Sequence, residues 1–309
     1  MATRYERKLA VLAKIEATYG TDAAPSGAAN AMLMTDVAFT PMAGSEETRA
    51  LLLPYLGNQG VILTGDHVIL EGSIEMAGSG AAGDVPAYGP VLRGIGLQEV
   101  IDAGVSVTYA PVSTGFEALS IYYNLDGVRH IMLGARGNVS FELTPQRIPR
   151  YRFRILGLTG PVTDQPLPSV DHSGFQKPLV VNKANTTVTI DGLKPPIERM
   201  SFDLGHQVEP RLLINYEGIE IVDRQASGSV TVQAGTLAEK DWLAIAKART
   251  RGVLAVTHGT AAGNIVEVNG PNVEVGRPTQ GATQGIANYT LPLGLIPDAG
   301  NDELSIVIK

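Results

Sequence analysis

The sequence predicts a mainly β protein made of two tandem β-sandwich or split-barrel units, each with one short helix. Short runs of alternating apolar and polar residues recur along the chain with turn residues between them, a pattern typical of sandwiches and barrels. The 35 glycines and 19 prolines suit many short elements joined by turns. Several phrases of the first half return in the same order in the second half, which indicates a duplicated unit.

The strands and helices follow from local patterns. The runs that indicate strands are 105–109, 118–123, 138–143, 229–232 and 264–268. A helix is predicted over 237–248, because Thr236 and Glu239 form a capping box before an apolar stripe. A weaker helix is predicted over 88–97, where Pro90 can begin it but two glycines loosen it.

The evidence for duplication is a set of similar short segments that occur in the same order in both halves. Gly72-Ser73-Ile74-Glu75 returns as Gly228-Ser229-Val230-Thr231, and both units close on Leu-Gly-Leu, at 156–158 and at 293–295. A proline-bracketed polar stretch separates them. The expected organisation is an appended N-terminal arm at 1–30 with a flexible part at 23–29, a first β domain at 31–160, a linker at 161–177 and a second β domain at 178–309.

Enzymatic and cofactor-dependent functions find no support in the sequence. The chain has no cysteine, its five histidines show no ligand spacing, and the Gly-x-Ser-x-Gly signature is absent. Gly78–Gly83 match the glycine pattern of dinucleotide sites, but Asp84-Val85-Pro86 follow where a helix must begin. We therefore expect a mobile glycine loop there, and no catalytic, cofactor-binding or metal site.

The charge pattern argues against nucleic acid as the main partner. The formal net charge is −7, and the segment 66–126 holds eight acidic residues against the single basic residue Arg93. No apolar run is long enough to span a membrane, and the N-terminus lacks an apolar signal core. We expect a soluble protein made in the cytoplasm and without a membrane anchor.

Arginines are concentrated just after this acidic segment. Arg150, Arg152 and Arg154 alternate with apolar residues, so all three share one face of a predicted strand. This face can be an ordinary basic solvent face, a phosphate-binding stripe, or an ion-pairing stripe for an acidic protein surface. We favour ion pairing with the 66–126 segment of a second copy.

A second candidate interface lies at 40–65. Glycines and prolines predict a loop there, yet it contains Leu51, Leu52, Leu53 and Tyr55 and is too apolar for a free loop. We expect this loop and the N-terminal arm to pack on neighbouring subunits.

The chain resembles the major tail tube proteins of bacteriophages with long, flexible, non-contractile tails. The similar phrases lie at 13–22, 54–57, 77–80, 86–89, 126–130, 134–137, 175–179 and 299–304. The resemblance implies a β-sandwich or split-barrel fold with a flanking helix, and a virion protein assembled in the host cytoplasm. It also implies rings, commonly six-fold, that stack around a tape-measure protein and later conduct DNA in passing.

Two copies of the unit in one chain alter that expectation. Three chains then supply six units, which predicts a trimeric, pseudo-six-fold ring. The tail terminator and distal tail proteins are the further partners implied. The alternative class is a two-domain β-sandwich binding module, such as an adhesin for a carbohydrate or a receptor. Rings or tubes in electron micrographs would favour the first class, and discrete monomers the second.

Overall fold

Nineteen strands and three short helices make up residues 3–309, the part of the chain that the computed structural model describes. The elements of the first half are β1 (Leu9–Ile15), α1 (Gly27–Asn30), β2 (Ala31–Met32), β3 (Thr35–Thr48), β4 (Val61–Glu75), α2 (Gly89–Gly94), β5 (Leu97–Asp102), β6 (Ser106–Pro111), β7 (Leu119–Leu125), β8 (Val128–Leu143) and β9 (Arg150–Asp164). Those of the second half are β10 (Thr186–Ile190), β11 (Ile197–Asp203), β12 (His206–Leu213), β13 (Tyr216–Arg224), β14 (Ser227–Gln233), α3 (Trp242–Ala248), β15 (Arg251–His258), β16 (Val266–Val275), β17 (Thr279–Thr283), β18 (Ile286–Leu295) and β19 (Ser305–Ile308). The prediction of a mainly β fold is confirmed.

Antiparallel pairing orders six strands of the first half as β1–β7–β8–β9–β4–β3. Four of these strands, β3, β4, β8 and β9, have 14 to 16 residues. The sequence predicted only 138–143 of β8 and the arginine run of β9, and it predicted a loop over much of β3 and the start of β4. Bulges explain the difference. The register of β8 with β9 shifts between Leu133 and Arg136, so the apolar alternation changes phase although the strand continues.

The second half shows a similar order of neighbours. β10 pairs with β15 and β15 with β16; β16 then pairs with both β18 and β19. β18 pairs with β14, which pairs with β11, while β17 forms a hairpin with β18. β12 and β13 form a separate two-stranded hairpin. This hairpin occupies the chain between β11 and β14, where the first half has the outer parts of β3 and β4.

Two strand pairings join the halves. β8 pairs with β11 from Leu143–Met200 to Ser140–Asp203, and β6 pairs with β19. A row of buried aromatic rings crosses the first joint, with 5.6 Å between the centroids of Tyr151 and Phe141 and 5.2 Å between those of Phe141 and Phe202. The hydrophobic core is therefore continuous from one half to the other.

The N-terminal segment is part of the sheet. β1 lies inside the stretch expected to be an appended arm, pairs along its whole length with β7, and buries Ala10–Ala13. The stretch expected to be flexible contains the helix α1. At the other end of the first half, β9 continues to Asp164, which places Pro161 inside a strand and not in a linker.

Both predicted helices exist but are shorter. α3 begins at Trp242, and its cap is Asp241, whose carboxylate accepts a hydrogen bond from the Ala244 amide at 2.9 Å. Thr236 and Glu239 do bond to each other, 2.9 Å from the Thr236 amide to Glu239 Oε2, but they close only a turn. α2 ends at Gly94, and Gly96 follows at φ +92°, a left-handed conformation that favours glycine.

Candidate assembly surface

The loop between β3 and β4 presents an unusually apolar surface to solvent. The two strands pair out to Thr48 and Val61, so the predicted loop is mostly a hairpin and only 49–60 form its tip. Gln59 closes the tip with two hydrogen bonds of 2.6 Å to the backbone of Leu51. Leu52 is 103% exposed. The other exposed apolar side chains on this hairpin are Met42, Leu51, Leu53, Tyr55, Leu56, Val61, Ile62 and Leu63.

This tip is the first candidate contact surface. It contains all four residues that the sequence marked there, Leu51, Leu52, Leu53 and Tyr55, and each of them is exposed in the single chain. The strand residues 61–63 extend the same apolar surface, although the sequence analysis did not single them out. Large contiguous apolar patches on a soluble protein mark interaction sites.

The hairpin of β12 and β13 forms a second, smaller apolar tip. Its turn places Asn215 at φ +66° and leaves Ile214 93% exposed, with Leu213 and Tyr216 beside it. The two hairpins border one groove of about 510 Å³, which is lined on one side by Gly44 and Gly65 and on the other by 210–213. The sequence analysis did not single out Leu213 or Ile214, so this surface was missed.

Arg136 fixes the second hairpin to the body of the protein. Its guanidinium donates to Glu220 at 2.5 Å, to the Ile219 carbonyl at 2.9 Å, and to two carbonyls of the loop before β7. It also stacks on Tyr19, 4.7 Å from the ring centroid, and the Tyr19 hydroxyl accepts the Ile219 amide at 2.6 Å. Burial is the main cause that raises the pKa of Tyr19. The second hairpin is thus anchored by a buried charge.

The three arginines of β9 lie on one outward face, as predicted, and their side chains are 37–65% exposed. Their carboxylate partners come from the same chain. Arg150 lies 3.5 Å from Asp36 and 3.8 Å from Glu75, and Arg154 lies 3.2 Å from Glu71. The favoured interpretation placed acidic partners on a second copy. Here β4, which pairs with β9 in register, supplies Glu71 and Glu75, and β3 supplies Asp36.

Glu142 completes this charged face. Its carboxylate lies 4.0 Å from Arg152 and 2.9 Å from Arg199, and it accepts the Thr144 hydroxyl at 2.6 Å. The Thr144 hydroxyl and then the two arginines lower the pKa of Glu142. Each arginine of the stripe is therefore close to a carboxylate before any partner binds, which reduces its attraction for a free phosphate.

Gly78–Gly83 serve a structural purpose. The Gly80 amide donates to the Gly263 carbonyl at 2.8 Å, and the Gly78 amide donates to Asn264 Oδ1 at 2.8 Å. A Cβ at Gly78 would lie 2.1 Å from the Gly263 oxygen, so only glycine permits this approach. The predicted mobile loop is thus a close backbone contact with the second half.

A buried charged cluster lies where the C-terminal segment meets β13. Arg224 forms an ion pair with Glu303 and donates to the Val112 carbonyl at 2.7 Å. His206 is buried beside them, and neither of its ring nitrogens has a hydrogen-bond partner among residues 3–309. Burial, and secondarily Arg224, lowers the pKa of His206 to about 4.

Across 3–309, no group of three or more His, Asp or Glu side chains is placed to hold a metal ion. No helix in that range is long and apolar enough to cross a membrane. The notable surfaces within residues 3–309 are an apolar hairpin tip, a second apolar tip and a charge-paired sheet face, and the apolar tips are typical of interaction sites on a β protein.

Comparison with known families identifies that class further. A model of the phage tail tube protein family matches residues 7–291, and the chain therefore belongs to this family. No curated protein matches the chain. The family resemblance drawn from the sequence is confirmed, and the chain is a structural component of a phage tail.

Proposed function

We propose that the protein self-associates into rings, and that the rings stack into the tail tube through which the genome is delivered. The observation that carries this proposal is the β3–β4 hairpin tip, because its leucines and Tyr55 are exposed in the isolated chain. A soluble monomer gains nothing from such a surface, whereas a subunit buries it against its neighbour. Membership of the tail tube family supports the same conclusion.

The ring contains three chains in this proposal. The support is the strand order, since β1–β7–β8–β9–β4–β3 in the first half corresponds to β10–β15–β16–β18–β14–β11 in the second. A short helix follows the corresponding strands of the two halves, α2 after β4 and α3 after β14. Two such units per chain give six units from three chains.

One of the sequence echoes does not share this correspondence. Leu156 pairs with Ile69, whereas Leu293 pairs with Gly228, the counterpart of Gly72. The two Leu-Gly-Leu phrases therefore lie three residues apart in register, and they are not equivalent positions. The inferred duplication rests on the strand order and on the Gly72 and Gly228 echo.

The proposed partners beyond the chain itself are those of a tail. A tape-measure protein occupies the lumen during assembly, tail terminator and distal tail proteins cap the tube, and DNA passes through it. The paired charges on the β9 face support a passing role for DNA, because each arginine there already lies near a carboxylate.

Electron microscopy of the purified protein tests the proposal directly. Rings or tubes are the expected result, and native mass spectrometry of the rings should give three chains. Rings of six chains would refute the trimer but leave the tube. A protein that stays monomeric at high concentration would refute self-assembly and favour the adhesin alternative.

A further inference from the structure

The sheet that crosses the joint between the halves has open edges at its two ends. From one side to the other its strands are β3–β4–β9–β8–β11–β14–β18–β17. Within residues 3–309, β3 pairs only with β4, and β17 pairs only with β18. All five residues of β17 are exposed, and none of them is charged or proline. An uncharged open edge favours pairing with another strand.

The pairing of β8 with β11, which joins the two halves inside the chain, is a template for how another strand can pair with these open edges. There, the end of β8 pairs antiparallel with β11, and Glu142 lies opposite Ser201. If the halves are related as proposed above, each of these two residues has a counterpart in the other half. The counterparts would lie at the two open ends of the sheet.

The counterpart of Ser201 follows from the strand register. Ser201 pairs with Ser229, and Ser73 is the counterpart of Ser229 in the echoed phrase. Ser73 pairs with Thr35 of β3. Thr35 therefore holds in the first half the place that Ser201 holds in the second.

The counterpart of Glu142 follows in the same way. Glu75 of β4 pairs with Arg150, which pairs in turn with Glu142. Thr231 of β14 is the counterpart of Glu75. It pairs with Thr290 of β18, which pairs in turn with Thr279 of β17. Thr279 therefore holds in the second half the place that Glu142 holds in the first.

We infer that the start of β17 in one copy pairs antiparallel with the start of β3 in the next, with Thr279 opposite Thr35 and Gln280 opposite Met34. This inference rests on the proposed ring and names the edges that close it. The sheet then runs on from copy to copy with the same joint between and within chains. In the proposed ring of three copies this gives six joints, three within chains and three between them.

Charge placement agrees with this direction of pairing. Arg277 precedes Thr279 by two residues, is exposed, and makes no ion pair within residues 3–309. Asp36 follows Thr35 and is also exposed. Antiparallel pairing brings these opposite charges to the same end of the joint. In the joint inside the chain, Arg199 and Glu142 form an ion pair at 2.9 Å.

Cysteine cross-linking tests the register, since the natural chain has no cysteine to interfere. The two test variants are Thr35→Cys with Thr279→Cys, and Met34→Cys with Gln280→Cys. Neighbouring pairs of an antiparallel ladder alternate between wide and close spacing, and a disulfide needs the close one. At least one variant should therefore give covalent trimers as its main product on a non-reducing gel after assembly and mild oxidation.

Matched variants control for geometry and for folding. Glu142→Cys with Ser201→Cys is the same pair inside one chain, so it should form an intrachain disulfide if the first test pair cross-links between chains. Thr35→Cys with Val100→Cys joins β3 to β5, a strand that lies outside this sheet and pairs only with β6 within residues 3–309, and it should stay uncross-linked. Both test variants are first checked for ring formation under reducing conditions.

The outcomes separate this inference from the proposed function. If the test variants form rings but neither cross-links, the pairing of β17 with β3 is wrong and the tube proposal stands. Cross-linking through Val100 instead would also overturn it. If the wild-type chain forms no rings at all, the proposed function fails and the inference fails with it.

Discussion

At the scale of single residues, Arg136 shows how one buried charge positions a large element. It is 8% exposed, and it holds β13 through Glu220 and the Ile219 carbonyl. A buried pair that loses one partner leaves the other groups without compensation, which costs about 3 kcal/mol or more. We predict that Arg136→Ala lowers the free energy of unfolding by about this amount in urea titrations.

Arg199 provides the matched control for that prediction. It also pairs with a carboxylate on a neighbouring strand, but its side chain is 63% exposed. Exposed pairs contribute about 0–1 kcal/mol, so Arg199→Ala should change stability little. Equal losses in the two variants would contradict the anchoring role of Arg136.

His206 makes the free energy of unfolding depend on pH. Its pKa of about 4 in the folded chain lies below the ordinary value of 6.5. Between these values the unfolded chain binds the proton and the folded chain does not. Stability from this group is therefore complete above about pH 6.5, falls as the pH drops toward 4, and is about 3 kcal/mol lower once both states are protonated.

A variant isolates this effect from other titrating groups. We predict that His206→Leu loses less stability than the wild type when urea unfolding is compared at pH 7 and pH 4. Arg224 and Glu303, the charged groups that face His206, are unchanged in both proteins. Parallel losses in the two proteins would show that His206 does not control the acid response.

At the scale of elements, the β3–β4 hairpin separates folding from assembly. Leu52 is fully exposed, so Leu52→Asp should change the free energy of unfolding by less than about 0.5 kcal/mol. A charge at the tip should nevertheless prevent the tip from being buried against a neighbour. We predict a folded chain that forms no tubes, as seen by circular dichroism and electron microscopy.

Leu237→Asp is the comparison variant for the tip. Leu237 is 66% exposed in the turn before α3 and belongs to neither hairpin, so tubes should still form when it is changed. Tubes of normal length from the Leu52 variant would remove the hairpin tip from the assembly surface.

The elements also show what sequence patterns can and cannot predict. The short run at 105–109 is a strand whose alternation is unbroken, whereas the run at 118–123 is a strand buried on both faces. The 16 residues of β8 were not predicted as one strand, since Arg136 and two glycines interrupt an alternation that a bulge restores. The capping box at Thr236 predicted that the helix begins five residues too early, because Asp241 and not Thr236 is its N-cap.

Some residues of the candidate surfaces could likewise be predicted from the sequence, and others could not. Leucines crowded among glycines and prolines reveal an apolar loop from composition alone, so Leu51–Leu53 were found. Ile214 was missed as a surface residue, because one isoleucine after two leucines reads equally well as a buried strand. The partners of Arg150 and Arg154 depend on which strand lies beside β9, and no local pattern specifies a long-range register.

At the scale of the whole molecule, charge determines how the protein meets DNA. The chain carries a net charge of −7, and its most concentrated basic feature, the β9 arginine stripe, is matched by Asp36, Glu71, Glu75 and Glu142. Unpaired arginines repeated around a ring would hold phosphates through counterion release. Neighbouring carboxylates oppose this attraction, which suits a surface that DNA passes and does not bind.

This charge balance predicts that removing the carboxylates creates DNA binding, whereas removing the arginines does not. Wild-type protein should show no salt-sensitive affinity for duplex DNA in fluorescence anisotropy titrations at low salt. Glu71→Gln, Glu75→Gln and Glu142→Gln together leave Arg152 and Arg154 without carboxylate partners and Arg150 with Asp36 alone. This variant should bind duplex DNA with an affinity that falls steeply as salt rises. A second variant carries Arg150→Gln, Arg152→Gln and Arg154→Gln. Its DNA binding should stay undetectable, because it lacks the arginines whose carboxylate partners the first set removes. Tight, salt-sensitive binding by the wild type that disappears in the arginine variant would show instead that the stripe is a phosphate-binding site.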